Sequence, residues 1–403
     1  MKELTILSQI EKENLNPFLL NIIAYRKSGL SLNHIIGCTL DCAYCVRHFF
    51  DNFEMKIPRM LCSNEEAIEH LITHPFFVPN ITPIQLFNRA TDPFLPNVRK
   101  HTHEILKELD NLGLKNTILI ITRAKVTEAD MLKLEGLKHL QVSLLLTYSG
   151  INDVRIEPIA KSRITVDSIR TISKFKNRTK LILYWRPIVS GWNDDLESFG
   201  RVFELAELTD AIVYTGYYHR PENLEYLKSV GVSVPYDEDF ARRKLLPKNL
   251  ENKIFKAYTE SGTKVPLFRK TSCGVAYAHK IPDYNGHWGV NELCDICPES
   301  QREICKQDYK PPTNQYFQKL LNEFDYDSHF LFEDGHIWTT GLGEERRYHL
   351  QHILRYQIWD IEKPHYKNQH GRSPFGQSKS IADESWYQDT KDKFYKEIME
   401  DDD

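Results

Sequence analysis

Gly37-Cys38-Thr39-Leu40-Asp41-Cys42-Ala43-Tyr44-Cys45 puts three cysteines in one short run, spaced C-x3-C-x2-C, with an aromatic residue just before the last. The run follows an apolar stretch at 31–36 that has the length and composition of a buried β-strand. Three thiolates can hold a 4Fe-4S cluster through three of its irons and leave the fourth without a protein ligand. An open iron is a place where a small molecule can bind and react. Zinc is the alternative filling; it needs a fourth ligand, which His34 or His48 can supply.

Working outward from this loop, further strand-sized apolar runs occur at 83–87, 116–122, 140–146, 180–186 and 210–215. Amphipathic helices fill the gaps. Ser63 with Glu66 forms a capping box before 67–72. Asn97 caps 98–112, and Gly113 follows it. Thr127 with Asp130 starts a helix before 131–137. Thr165 and Asp167 precede one that runs to 175, and Asp194 and Asp195 open one that runs to 208. Six βα units in series imply a parallel sheet wound in one hand, too short for a closed eight-stranded barrel. The expected fold class is therefore α/β. It comprises a partial (β/α)6 barrel over 1–235, a four-cysteine module over 236–310, and a helical, loosely packed extension over 311–403. Helices are expected at 314–323 and 345–360, and a loose tail from His365. In such sheets the chemistry lies on loops at the C-terminal strand ends, which is where the cysteine run falls.

The bulk numbers are ordinary. Hydrophobic residues make up 41% and charged residues 27% of 403, so wholesale disorder is excluded. A net charge of −4 gives no general attraction to duplex nucleic acid. No apolar run is long enough to span a membrane. The start, Met1-Lys2-Glu3-Leu4-Thr5-Ile6, lacks the pattern of a signal peptide, so the expectation is a cytoplasmic protein. Without secretion, eight cysteines in two groups point to metal rather than disulfides. Cys62 stands apart as an ordinary thiol.

The first group, C-x3-C-x-Φ-C with Φ aromatic, at the end of the first of six βα units, resembles the radical SAM superfamily. Through about residue 195 the chain is similar to its spore photoproduct lyase-like branch. The similarity rests on Thr91-Asp92-Pro93-Phe94-x-Pro96, Ile121-Thr122-Arg123-x-Lys125, Ser143, Arg155-x-Glu157-Pro158, Arg186-Pro187-Ile188-x-x-Gly191 and Asn193-Asp194. The resemblance implies a 4Fe-4S cluster on Cys38, Cys42 and Cys45, with S-adenosylmethionine (SAM) on the open iron. Reductive cleavage of SAM would then give a 5′-deoxyadenosyl radical that takes a hydrogen atom from the substrate. Implied partners are an electron donor of the flavodoxin or ferredoxin kind and a nucleotide, peptide or small-molecule substrate. Tyr44 can cover a planar ligand. Asp92 can accept from the SAM ammonium or cap its own turn. Thr122 and Lys125 can reach the ribose or carboxylate, and Ser143 the ribose. Arg186 can bind the carboxylate or pair with Glu157. One departure stands out. The family's hydrogen-donor cysteine would fall near Ala90, and none is there.

The second group, Cys273, Cys294, Cys297 and Cys305, reads C-x20-C-x2-C-x7-C. Either a structural zinc or a second 4Fe-4S cluster suits four thiolates. Between its ligands lies an aromatic, hydrogen-bonding stretch that includes Tyr277, His279, Asp283, Tyr284 and Trp288. Tyr277 or Tyr284 is a candidate hydrogen-atom relay in place of the missing cysteine.

Overall fold

The six apolar runs all contribute strands to one eight-stranded sheet. The computed structural model describes residues 3–159, 161–235, 246–333, 335–362 and 385–401. At one edge β1 (Ile23–Arg26) turns back antiparallel on β2 (Gly29–Leu32). Then β3 (Ile84–Leu86), β4 (Thr117–Thr122), β5 (Gln141–Tyr148), β6 (Lys180–Ile188), β7 (Ala211–Gly216) and β8 (Leu267–Phe268) follow in parallel. Spatial order is chain order. Crossovers of one hand between strands in that order collect the helices on one face, so the sheet curls as part of a barrel. Successive helices touch accordingly: Asn64–Ile72 on Arg99–Asn111, that on Glu128–Glu135, and that on Ser162–Phe175. The barrel is partial, with β1 and β8 as its edges.

The two faces of the sheet differ. Trp185 of β6 points outward, its ring centroid 5.2 Å from Phe199 and 5.9 Å from Phe203 of helix Leu196–Ala206. Tyr184 and Ser143 occupy the other face and meet helix Thr271–His279. Thr271 Oγ1 is 3.2 Å from Tyr184 Oη, and His279 Nε2 is 2.9 Å from Ser143 Oγ. A helix thus lines the inner face of the sheet. It approaches so closely that a Cβ on Gly274 would stand 2.5 Å from Val213 Cγ2.

Several boundaries differ from expectation. The first run divides after Leu32. Ile35–Ile36 leaves the sheet to pair antiparallel with Arg59–Met60, and Asn33 turns its amide back to the Ser31 carbonyl at 2.9 Å. The Ser63–Glu66 and Thr127–Asp130 capping boxes form, and Asp195 caps Leu196–Ala206. Val98, not Asn97, precedes helix Arg99–Asn111, and it makes no side-chain cap. Helix Ser162–Phe175 starts before Thr165, which lies inside it and donates to the Thr147 carbonyl at 3.0 Å.

Contacts divide the chain between His279 and Lys280. Residues 248–279 pack with the first unit because β8 extends its sheet and helix Lys248–Ser261 lies on helix Leu196–Ala206. The second unit holds a three-stranded sheet of β9 (Phe330–Glu333), β10 (His336–Thr339) and β11 (Ile358–Asp360). Helix Asn314–Glu323 forms as expected. The helix expected over 345–360 ends at Leu354, after which β11 takes over. The expected loose tail is corrected in part: Ser385–Asp401 is a helix whose Phe394 is buried with Trp338 and Trp359. The tail from 365 to 384 lies outside the described residues. Among the described residues no helix is long and apolar enough to cross a membrane.

Candidate functional site

The cysteine loop sits beyond β2, held from two sides. The Gly37 amide donates to the Ala90 carbonyl at 3.1 Å, and the Cys38 amide to the Met55 carbonyl at 3.0 Å. Gly37 has φ +94°, and a Cβ there would stand 2.9 Å from both the Ile57 carbonyl oxygen and Met55 Cγ. Only glycine fits this turn. Further on, the Ala43 amide donates to Ile156 and the Cys45 amide to Cys42, each at 2.9 Å. Cys38 and Cys42 are buried and Cys45 is half-buried; none of the eight cysteines is in a disulfide. Burial pushes the Cys38 thiol up to about 12, with Asp92 adding to the rise and Arg47 opposing it. Burial raises Cys42 as well. Three soft sulfur donors on one loop, two of them shielded from water, suit an iron–sulfur cluster. His34 Nε2 lies 2.9 Å from Asn64 Oδ1, and the His48 ring stacks on Phe53.

Tyr44 leads into the loop's main polar anchor. Its hydroxyl donates to Glu157 Oε1, which also accepts from Arg123 Nη1 at 2.6 Å. Glu157 Oε2 accepts from Ser149 Oγ at 2.9 Å. Arg123 also donates through Nη2 to the Arg186 carbonyl at 3.2 Å, and its guanidinium lies 5.2 Å from the Tyr44 ring. One buried ion pair therefore ties the cysteine loop to the C-terminal ends of β4, β5 and β6. Arg123 and Glu157 are the functional residues that motif reading left without a shared role. A charged residue just past an apolar strand was their visible signal.

The other expected ligand contacts separate into two sets. Asp92 is a brace. It accepts from Thr122 Oγ1 at 2.6 Å, from the Arg123 and Ala124 amides at 2.7 and 3.3 Å, and from the Phe94 amide at 2.9 Å. Burial raises its carboxyl against the pull of those donors. Thr122 is committed to the same brace, and Lys125 is exposed. Arg186 does not pair with Glu157, because Arg123 occupies that place. Its guanidinium instead lies over the Tyr184 ring at 4.2 Å, with Nη1 3.4 Å from Tyr184 Oη. Among the described residues no carboxylate is within ion-pair distance of it.

One expectation is corrected. Ser143 pairs in register with Leu119 and Lys180, three residues below the Leu146–Thr122 level. At about 3.3 Å per residue it lies roughly 10 Å below the mouth, and its hydroxyl is spent on His279. Helix Thr271–His279 runs antiparallel to the strands, and its Tyr277 packs on Phe268 at 5.4 Å, Phe268 being in register with Val213 of β7. Cys273, near the start of that helix, is toward the mouth. Tyr284 belongs to the second unit, where it is buried edge-on against His352. Ala90, where the donor cysteine was expected, is buried in an apolar cluster with Ile36 and Phe50.

In the second unit Cys294, Cys297 and Cys305 come together around a helix start. The Cys297 amide donates to the Cys294 carbonyl at 3.2 Å, and Pro298 caps helix Glu299–Asp308, which carries Cys305. Cys305 Sγ accepts from Gln301 Nε2 at 3.4 Å and from the Asp283 amide. The Gly289 amide donates to Cys294 Sγ. Burial raises the Cys294, Cys297 and Cys305 thiols, and the donors aimed at the sulfurs of Cys294 and Cys305 pull the other way.

No family model matches the chain. Among solved structures it is similar to spore photoproduct lyase complexed with dinucleoside spore photoproduct, at 14% identity over 61% of this chain and 78% of that one, with a TM-score of 0.47. It is also similar to Streptococcus suis SuiB bound to S-adenosylmethionine, at 10% identity over 64% of this chain and 54% of that one, with a TM-score of 0.42. In the first unit the three-cysteine loop lies at the mouth of a partial barrel whose strands are laid in chain order.

Proposed function

We propose that the protein is a radical SAM enzyme. The observation that carries this reading is the Cys38, Cys42 and Cys45 loop, buried at the C-terminal end of a one-handed βα sheet and anchored there by the Arg123–Glu157 pair. A 4Fe-4S cluster bound there would supply the electron that cleaves SAM and yields a 5′-deoxyadenosyl radical able to take a substrate hydrogen. The three cysteines would hold the cluster, and Tyr44 is held beside them. Arg186, a cation at the mouth with no acid partner among the described residues, is suited to the SAM carboxylate. Asp92 and Thr122 shape the turn between β3 and β4 rather than offering free polar groups.

The resemblance favours a nucleobase or nucleotide substrate, with a peptide or small metabolite as the other classes. Thymine-dimer repair by the lyase route lacks its donor cysteine, since Ala90 holds that place. An electron carrier of the flavodoxin or ferredoxin kind would serve as reductant. In the second unit, Cys294, Cys297 and Cys305 would hold a further 4Fe-4S cluster or a zinc ion.

The test is anaerobic incubation with dithionite and SAM, with 5′-deoxyadenosine as the readout. The chain is expected to release it, and Cys42→Ala to abolish release. Continued release from Cys42→Ala would sink the reading.

A further inference from the structure

Arg47 lies two residues past Cys45 and is 2% exposed. Its Nη1 donates to three backbone carbonyls, of Asn52 at 3.2 Å, Phe53 at 3.1 Å and Met55 at 3.2 Å. The Met55 carbonyl also receives the Cys38 amide, so the guanidinium is one acceptor away from a ligand's backbone. Its Nε is buried without a partner. Among the described residues no carboxylate is within ion-pair distance.

A buried guanidinium without an acid is costly. Neutral carbonyls accept from Nη1 and leave the charge uncompensated. The nearby anion that this chain can assemble is the set of thiolates in the cysteine loop. Three thiolates outweigh the charge of a 4Fe-4S core, so the loaded group is anionic and becomes more so when reduced. Lys56 is a useful contrast. It carries the same charge over the same Phe53 ring, at 3.7 Å, but is more than a third exposed and paired with Asp41 at 2.7 Å. Water and its own acid screen it.

We propose that Arg47 is the buried counter-charge of the Cys38, Cys42 and Cys45 cluster, and that it makes the cluster easier to reduce. This rests on the radical SAM reading of the loop and adds a positioning residue that acts on the cluster by its field. Reduction adds one electron to a group beside a fixed cation. Removing the cation disfavours the reduced form and moves the midpoint potential to more negative values.

The experiment is a potential-poised titration of the anaerobically purified, iron-loaded chain, following the reduced-cluster spectroscopic signal that changes when SAM is added. The variants are Arg47→Met, Arg47→Lys and Lys56→Met. At a fixed potential, Arg47→Met is expected to lower the reduced fraction by about tenfold, the scale of one poorly screened charge acting over several ångströms. Arg47→Lys should stay close to the parent, and Lys56→Met should match it. A midpoint unchanged in Arg47→Met overturns the proposal. So does an equal shift in Arg47→Lys, which would make Arg47 only a brace for the 52–55 turn. If Arg47→Met takes up no iron, Arg47→Lys decides: loading at the parental potential supports the charge role, and failure to load overturns it. A parent chain with no SAM-responsive signal sinks the cluster reading itself, and this proposal with it.

Discussion

Glu157 gathers three donors from three loops: Tyr44 of the cysteine run, Arg123 after β4 and Ser149 after β5. Its side chain and that of Arg123 are largely out of water, at 1% and 11% exposure. Removing one charge from such a pair strands the other. Glu157→Gln is therefore expected to destabilise the fold by about 3 kcal/mol. Tyr44→Phe should cost only about 1 kcal/mol, one hydrogen bond. Urea unfolding followed by circular dichroism measures both, and equal losses would argue against the ion pair as the anchor. The residues of this network were visible as charges in short motifs after apolar strands. Their pairing was not. Arg186 and Arg123 are equally plausible partners for Glu157 along the chain, and the curl of the sheet brings Arg123 to it. Ser143 shows the same limit. Its oddness in an apolar strand was legible, but its depth depends on register with β4 and β6.

At the scale of elements, the helix Thr271–His279 holds the most consequential placement in the first unit. Strands and outer helices announce themselves by apolar period and caps, and the Ser63, Thr127 and Asp195 caps form as read. An inner helix has no such signature, since both of its faces are apolar or small. Its contact with the sheet depends on Gly274 against Val213. Gly274→Ala would ordinarily favour a helix by about 1 kcal/mol. Here the added methyl meets a fully buried β-branched side chain. A net loss of about 1–3 kcal/mol is expected. Pairing it with Val213→Ala should return part of that loss, and a double-mutant cycle of thermal or urea stabilities measures the coupling. Independent, additive losses would show that the helix does not rest on Val213.

On the scale of the whole molecule, the two cysteine groups belong to different structural units, apart from Cys273 on the inner helix of the first. Loss of one site should then spare the other. Cys294→Ser is expected to lower the metal bound per chain while leaving the SAM-responsive signal of the Cys38 loop in place. Iron and zinc analysis of anaerobically purified protein measures the first, and the nature of the lost metal identifies the second filling. Loss of both signals together would make the second group part of the first. The sequence by itself determined the α/β class, six strands of the parallel sheet, the three-cysteine run at a strand end and the two-group arrangement of the thiols. Those features are local: period, caps and spacing are written in neighbouring residues. Only the tertiary structure decided that Glu157 answers Arg123, that Asp92 is spent on a turn, that Ser143 lies below the mouth of the sheet, and that Arg47 is buried beside the loop with no acid in reach among the described residues. Those depend on register and curvature, which join residues far apart in the chain. The run at 37–45 could specify its ligands alone, but the charge beside them is set by how the 52–55 turn folds back over it.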